Sequence, residues 1–160
     1  GTTTFTMAVS AKRSSGKQAA LASFRDFSAG GTNDRVTLVH RQVSGDYPIQ
    51  VWDDINTWLA PGSPVNSTTS AFNRVACVYS GTIRDLYIDG GSKATQSGST
   101  ARDAGFTAFT VGSDDASIIE NFDGDIAFAY IYPGVLSADW LAAEHSMVSN
   151  PAGFYTITEL

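Results

Sequence analysis

Cysteine is nearly absent, Cys77 being the single one in 160 residues. No disulfide can close within the chain, and a cysteine-built zinc site has no ligand set. Charge is scarce as well, at 16% Asp, Glu, Lys and Arg against a usual ~25%. The ten Lys and Arg residues are scattered and the net charge is -6. The basic patch that a phosphate backbone demands is missing, which argues against nucleic acid as a partner. No apolar run approaches the ~20 residues of a membrane span, so helical membrane insertion is not expected. The opening residues carry no basic-plus-apolar signal segment. The chain starts at Gly1, inside a strand pattern, and reads as a domain excised from a longer protein together with the loss of its compartment signals.

What is present points to strands and turns. Glutamate is down to 3 residues while aspartate reaches 13, and serine and threonine together make 34. Thr suits strands, Asp, Ser and Gly suit turns, and the missing Glu is a helix former. Hydrophobic residues at 42% and aromatics at 11% suffice for a packed core, so disorder is excluded. The length fits one domain, residues 1–160.

Phe5, Met7 and Val9 alternate with Thr6, Ala8 and Ser10, which predicts a half-buried strand. Similar patterns predict strands at 20–24, 36–42, 47–52, around Trp58-Leu59, and at 72–79, 84–89, 106–112, 124–132 and 154–158. Asp89-Gly90 marks a tight hairpin turn. In 124–132, Ile126, Phe128, Tyr130 and Tyr132 fall on one face. Ser92 to Ala104 is polar and shows no strand pattern. One helix is predicted over 137–148, with Ser137 as N-cap and Asp139 in the first turn. Trp140, Ala143 and Met147 share one of its faces, which places Trp140 in the core, and Asn150-Pro151 ends it. There is no βαβ alternation and no fixed-period repeat. The expected class is all-β: a two-sheet antiparallel jelly-roll sandwich with one short C-terminal helix. Cys77, inside Val75-Ala76-Cys77-Val78-Tyr79, reads as a small buried hydrophobe, since nothing links it to His40 or His145.

The segment 53–70 is a long loop for a compact domain, and such loops tend to carry function. Tyr47, Trp52, Asp53, Asp54, Asn56 and Trp58 cluster around its start. Aromatic rings stack on sugar faces, while carboxylates and amides bond sugar hydroxyls, so these six form a candidate glycan site. The plainer alternative puts Trp52 in the core and uses Trp58 to plug the loop down. Asp123 and Asp125 have the i, i+2 spacing of a carboxylate pair on one strand face, and Asp85 and Asp89 come near it. A retaining glycosidase needs its two carboxyls about 5–5.5 Å apart. Asp123-Gly124-Asp125 reads better as a turn entering a strand, and no Gly-x-Ser-x-Gly elbow is present. No catalytic residue is assigned. Asn66-Ser67-Thr68 is a glycosylation sequon, a short and frequent match.

Phe72-Asn73-Arg74-Val75-Ala76-Cys77-Val78-Tyr79-Ser80-Gly81, followed by Leu86-Tyr87-Ile88-Asp89-Gly90, resembles the laminin G-like, concanavalin A-like family, with its Val-Tyr-Asp-Gly strand end and its Leu-Tyr-Val-Asp-Gly strand. Phe109-Thr110-Val111-Gly112 is similar to its Leu-x-Ile-Gly strand. Residues 122–132 resemble its Phe-x-Gly-x-Ile-Asp-x-Val strand, and Leu136-Ser137-Ala138-Asp139-Trp140-Leu141 its Leu-Ser-x-x-Glu-Ile helix. The resemblance runs over roughly residues 4–148. Asn150-Pro151 with Phe154 is similar to the Asn-Pro-Trp-x-x-Phe ending of such domains in bacterial and phage structural proteins, with Ala152 in place of the Trp. The family's first strand is missing, and Asn73 and Arg74 stand where a His-His pair is usual.

The resemblance implies a jelly roll used as a binding or structural module. Many members bind glycans or proteins and some bind one calcium ion. Calcium wants several oxygens from one loop, and Asp114-Asp115 is the candidate pair, although adjacent Asp residues also serve simply as turn formers. The Glu-x-Asp-x-x-Glu signature of the family's glycosidases is absent. The expectation is a non-catalytic recognition or structural module that binds a glycan or protein partner through edge loops, in an extracellular, cell-surface or virion protein. One alternative is a phage virion assembly protein, a capsid decoration or tail-associated domain with a protein–protein interface only; homo-oligomer or particle assembly belongs to that reading. A second alternative is a fragment of a carbohydrate-active enzyme.

Overall fold

The computed structural model describes residues 4–25, 35–53, 57–97, 108–113 and 121–154, leaving aside the side chains of Asp53, Thr57, Ala152 and Phe154. Ten strands are described: β1 (Thr4–Arg13), β2 (Ala19–Arg25), β3 (Arg35–His40), β4 (Ile49–Asp53), β5 (Thr57–Leu59), β6 (Asn73–Ser80), β7 (Ile83–Ile88), β8 (Gly91–Ser97), β9 (Ala108–Val111) and β10 (Gly124–Tyr132). Two helices follow, α1 (Ala138–Ser149) and α2 (Pro151–Phe154). The strands form two five-stranded antiparallel sheets. Sheet I has the order β10-β1-β6-β7-β8 and sheet II the order β5-β4-β3-β2-β9. This is the two-sheet sandwich that the alternating apolar pattern predicts.

The alternation decides which residues meet between the sheets. Phe5, Met7 and Val9 of β1, Val75, Cys77 and Tyr79 of β6, and Leu86 and Ile88 of β7 face Leu21, Val36, Leu38, Ile49, Val51 and Leu59 from sheet II. Phe5 anchors this core: its ring stacks on Tyr79 at 5.2 Å and meets the edge of Phe24 at 4.9 Å. Each such large side chain contributes about 1.5–3 kcal/mol on leaving water. Cys77 is fully buried here, as a small hydrophobe.

The outer face of sheet I carries small residues, Ala8 and Ala76, beside Val78, and α1 docks on them through Leu141. Ser137 caps the helix by accepting a bond from the Trp140 N–H. The β7–β8 turn is shaped to let the helix in. Asp89 and Gly90 both have positive φ, 51° and 77°, the signature of a type I′ hairpin. A Cβ on Gly90 would lie 3.0 Å from His145 Cβ and 3.1 Å from the Ala142 backbone, so a larger residue there would push α1 away.

Four local expectations are corrected. Gly91–Ser97 forms β8 although its sequence is polar, because it is the edge of sheet I and needs no apolar face on its outer side. Trp140 lies outside the core at 59% exposure, and Leu141, one residue on, is the buried anchor of α1. Ile126 does not share a face with Phe128, Tyr130 and Tyr132. The pairing steps from Ser10↔Phe128 to Ala11↔Ile126, and this bulge at Ala127 turns Ile126 inward beside Ala129 and Ile131. Phe154 ends the short helix α2 rather than starting a strand, and residues 155–158 of that predicted strand lie outside the described residues, as do Phe106 and Thr107 of another.

Candidate functional site

The sequence cluster around 47–58 is divided by strand parity. Tyr47 has the same parity as Ile49 and Val51, which point into the core, and it sits beneath the β3–β4 hairpin. Its hydroxyl donates to the Gly16 carbonyl at 2.6 Å, and Arg13 lies over its ring at 4.2 Å. Trp52 has the opposite parity and points out of sheet II. The register pairs Thr37 with Trp52 and Trp52 with Trp58, so the two indoles become cross-strand neighbours and stack, with centroids 5.9 Å apart and planes 25° from parallel. The core placement of Trp52 is therefore wrong: both indoles are half-exposed on the outer face. Asp54 and Asn56 lie outside the described residues, as does the side chain of Asp53.

Two arginines that the sequence did not single out complete the arrangement. Arg35 opens β3 with its guanidinium 4.0 Å from the centre of the Trp52 ring. Arg41 follows β3 directly, and its guanidinium lies 4.4 Å from the centre of the Trp58 ring. Arg41 leaves β3 and Trp58 belongs to β5, so this contact crosses β4 above its outward residues. Gln50 is one of them. It is 7% exposed, and its Oε1 is buried without a hydrogen-bond partner. Further into the sheet the outer face closes: Ser23 and Thr37 are buried and share a hydroxyl–hydroxyl bond of 3.0 Å. Water therefore reaches this face at its β3–β5 margin. The result is a rigid stack of two indoles and two guanidinium groups, rich in N–H donors and with no nucleophile in it.

A second polar cluster lies on the outer face of sheet I. Arg74, 4% exposed, forms an ion pair with Glu144 of α1. Tyr130 joins both: it accepts from Arg74 Nη2 at 3.0 Å and donates to Glu144 Oε2 at 2.7 Å. Burial, with the Glu144 bond beside it, pushes the Tyr130 hydroxyl up to about 12. Asp89 holds the start of the same strand, accepting from the Arg74 N–H at 2.9 Å and from Asn73 Nδ2 at 3.1 Å. Beside the cluster a groove opens between α1 and the edge strand β10, lined by Tyr130, Tyr132, Leu136, Trp140, Glu144 and Met147.

Three of the four carboxylates weighed for glycoside hydrolysis, those of Asp125, Asp85 and Asp89, have structural duties. Asp125 pairs with Lys12 at 2.9 Å on the surface, Asp85 accepts from the Thr95 hydroxyl at 2.5 Å, and Asp89 fastens Asn73 and Arg74. Asp114 and Asp115 lie outside the described residues. Among the described residues no group of three or more His, Cys, Asp and Glu side chains is placed to hold a metal, and no helix is long and apolar enough to cross a membrane.

The sequence matches the laminin G-like model of the concanavalin A-like lectin/glucanases superfamily over residues 1–142. The chain belongs to that superfamily. No curated protein sequence matches it. Among solved structures it is similar to the CBM40 carbohydrate-binding module of the Ruminococcus gnavus IT-sialidase bound to α2,3-sialyllactose. The TM-score is 0.69 at 19% identity, covering 90% of this chain and 83% of that one. It is similar to the heptameric SAP-like pentraxin of Limulus polyphemus, with TM-score 0.68, 13% identity, and 91% and 70% of the two chains covered. It is also similar to domain 4 of an extracellular arabinanase from Geobacillus stearothermophilus in complex with arabinotriose, with TM-score 0.64, 15% identity, and 88% and 66% covered. At these identities the likeness establishes the jelly-roll fold.

Proposed function

We propose that this domain is a non-catalytic glycan-recognition module of an extracellular or surface protein, with the sugar seated on the outer face of sheet II at the β3–β5 margin. One observation carries the reading: the half-exposed stack of Arg35, Trp52, Trp58 and Arg41. Sugar recognition gains from rigid groups that cost little entropy to hold, with hydrogen-bond donors at their rim, and this stack is fixed by packing before any ligand arrives. Asp53, Asp54 and Asn56 follow Trp52 directly in sequence and are proposed to supply acceptors at the same margin. Tyr47 is proposed as support beneath the hairpin. Jelly-roll domains of like fold include a carbohydrate-binding module bound to sialyllactose and an arabinanase domain in complex with arabinotriose, which agrees with this use of the scaffold. Calcium at Asp114-Asp115 is an accessory part of the proposal.

A glycan array followed by calorimetry, with and without calcium, tests it. Trp58→Ala should abolish a specific sugar signal while leaving the far-ultraviolet dichroism of a β-protein intact. Absence of binding to every glycan class would refute the reading. An assembly protein remains the second reading, favoured by the apolar groove between α1 and β10, where Tyr132, Trp140 and Met147 are 46%, 59% and 43% exposed. Mass measurement in solution decides that reading, since it requires a stable oligomer.

A further inference from the structure

We infer that the ligand of the sheet II site is anionic, a glycan bearing a carboxylate or a sulfate ester, and that Arg41 at the Trp58 end of the stack grips the charged group. The inference rests on the glycan reading above and narrows its ligand class. Three observations support it.

The first is how the rings are occupied. A neutral sugar is usually held by laying its C–H face on an open aromatic ring. Here each indole already packs against the other, and each also carries a guanidinium, at 4.0 Å on Trp52 and 4.4 Å on Trp58. Little ring face is left for a sugar. The groups presented to the ligand are the guanidinium edges.

The second is the state of Arg41. Arg41 sits 4.4 Å from the centre of the Trp58 ring, and its N–H donors lie in the guanidinium plane in the fork geometry that matches a carboxylate or sulfate. Arg41 is half-exposed, and among the described residues no carboxylate is paired with it. In a chain of net charge -6, an arginine held at an aromatic corner with no carboxylate partner among the described residues is a local reversal of sign, and such a spot concentrates anions. Phe72 also carries a cation, Lys12, at 5.2 Å. That lysine, however, is neutralised by Asp125 at 2.9 Å, so cation-over-ring contact does not by itself leave a free charge in this protein.

The third lies underneath. Gln50, on the strand that the Arg41–Trp58 contact crosses, buries its Oε1 without a donor. An unsatisfied buried acceptor is costly. A ligand whose charged group meets Arg41 would bring its neighbouring hydroxyl towards Gln50, and that hydroxyl would donate to Oε1.

The test is calorimetry on the intact chain with matched oligosaccharides: lactose against α2,3-sialyllactose for the carboxylate arm, and an unsulfated against a sulfated chondroitin oligosaccharide for the sulfate arm. We expect one anionic member to bind at least about tenfold more tightly than its neutral counterpart, as for a bidentate charge-assisted contact. Its affinity should fall steeply towards about 1 M salt, where the Debye length shrinks to about 3 Å. Arg41→Ala should remove most of that preference. Arg41→Lys should recover only part of it, because a lysine keeps the charge and loses the fork. If neutral and charged members bind equally, or if Arg41→Ala binds as the parent does while Trp58→Ala fails, the ligand is not selected by charge and this inference is overturned with the glycan reading intact. If no oligosaccharide of either kind binds, the glycan reading itself fails and takes the inference with it.

Discussion

On both outer faces of the sandwich an arginine lies over aromatic rings, yet the two are set up in opposite ways. On sheet I, Arg74 is 4% exposed, with its guanidinium 4.8 Å from the centre of the Phe128 ring and 5.6 Å from that of Tyr130. Glu144 comes down from α1 to neutralise it, and the Tyr130 hydroxyl bonds both. On sheet II, Arg41 lies over Trp58 at a similar distance but is half-exposed, and among the described residues no carboxylate is paired with it. The pairing of arginine with aromatic is the same, and what differs is access to water. A guanidinium does not give up its proton, so once covered it must meet an anion or pay several kcal/mol of desolvation. At a margin open to solvent, water bears that charge and the guanidinium stays available. The first arrangement fastens a helix to a sheet; the second leaves a cation on display.

The sharpest way to break this comparison is to remove the anion on the covered side. Glu144→Ala leaves Arg74 buried and uncompensated, and should destabilise the fold by about 3–5 kcal/mol. Urea denaturation followed by tryptophan fluorescence would read the loss, and Glu144→Gln, which keeps a hydrogen-bond acceptor, should lose less. A change below about 1 kcal/mol for Glu144→Ala would mean that the cluster holds nothing in place and that α1 is docked by Leu141 alone.

His40 extends the comparison to a cation that can shed its proton. It is 1% exposed at the end of β3, with Ser67 Oγ 3.3 Å from its Nδ1 and Phe122 and Tyr47 rings around it. Among the described residues no carboxylate balances it. Burial instead lowers its pKa from 6.5 to about 4, and the charge of Arg13 acts in the same direction. Above pH 6.5 the ring is neutral whether the chain is folded or not, and the full stability is present. Between the two pKa values only the unfolded chain takes up the proton, so stability falls as pH falls, by about 3 kcal/mol once pH 4 is passed. Other groups titrate in the same range, so the measurement is a difference: the stability of the parent minus that of His40→Gln, at about pH 7 and about pH 4.5. The parent should lose its excess on acidification. A constant difference would show that water or an anion reaches the ring.

How far these arrangements could be foreseen depends on how local their causes are. The strands of the core were legible because period-two apolar residues such as Phe5, Met7 and Val9 need only their immediate neighbours to declare a face. The Asp89-Gly90 hairpin was legible for the same reason. β8 was not, because an edge strand with a wet outer side leaves a polar sequence. The inward turn of Ile126 was hidden too, since one bulge residue, Ala127, reverses the alternation and marks itself by no unusual residue type. Trp140 and Leu141 lie on two helical stripes of nearly equal apolarity, and only the alanine surface of sheet I, far away in sequence, selects Leu141. At the candidate site the aromatic pair was visible, but parity separated Tyr47 from it. Arg35 and Arg41 shared the outward parity of Thr37 and Val39 all along; cations spaced evenly along the polar side of a strand that faces tryptophans were the signal to look for. Arg74 and Glu144 offered no such signal, since the chain brings them together only after both sheets have formed.

The smallest effect expected is also the one that completes the comparison. Arg41→Ala should change stability by less than about 1 kcal/mol, the range of an exposed cation–π contact, because the guanidinium leaves water behind it rather than an orphaned partner. Trp52 and Trp58 would still stack across β4 and β5, and the Gln50 amide beneath them would gain access to solvent, which offsets part of the lost contact. Urea midpoints measured alongside Glu144→Ala give both numbers in one experiment. A loss from Arg41→Ala as large as that from Glu144→Ala would show that the stack is a fastening like the one on sheet I, and a margin held that tightly would have no cation to spare for a ligand.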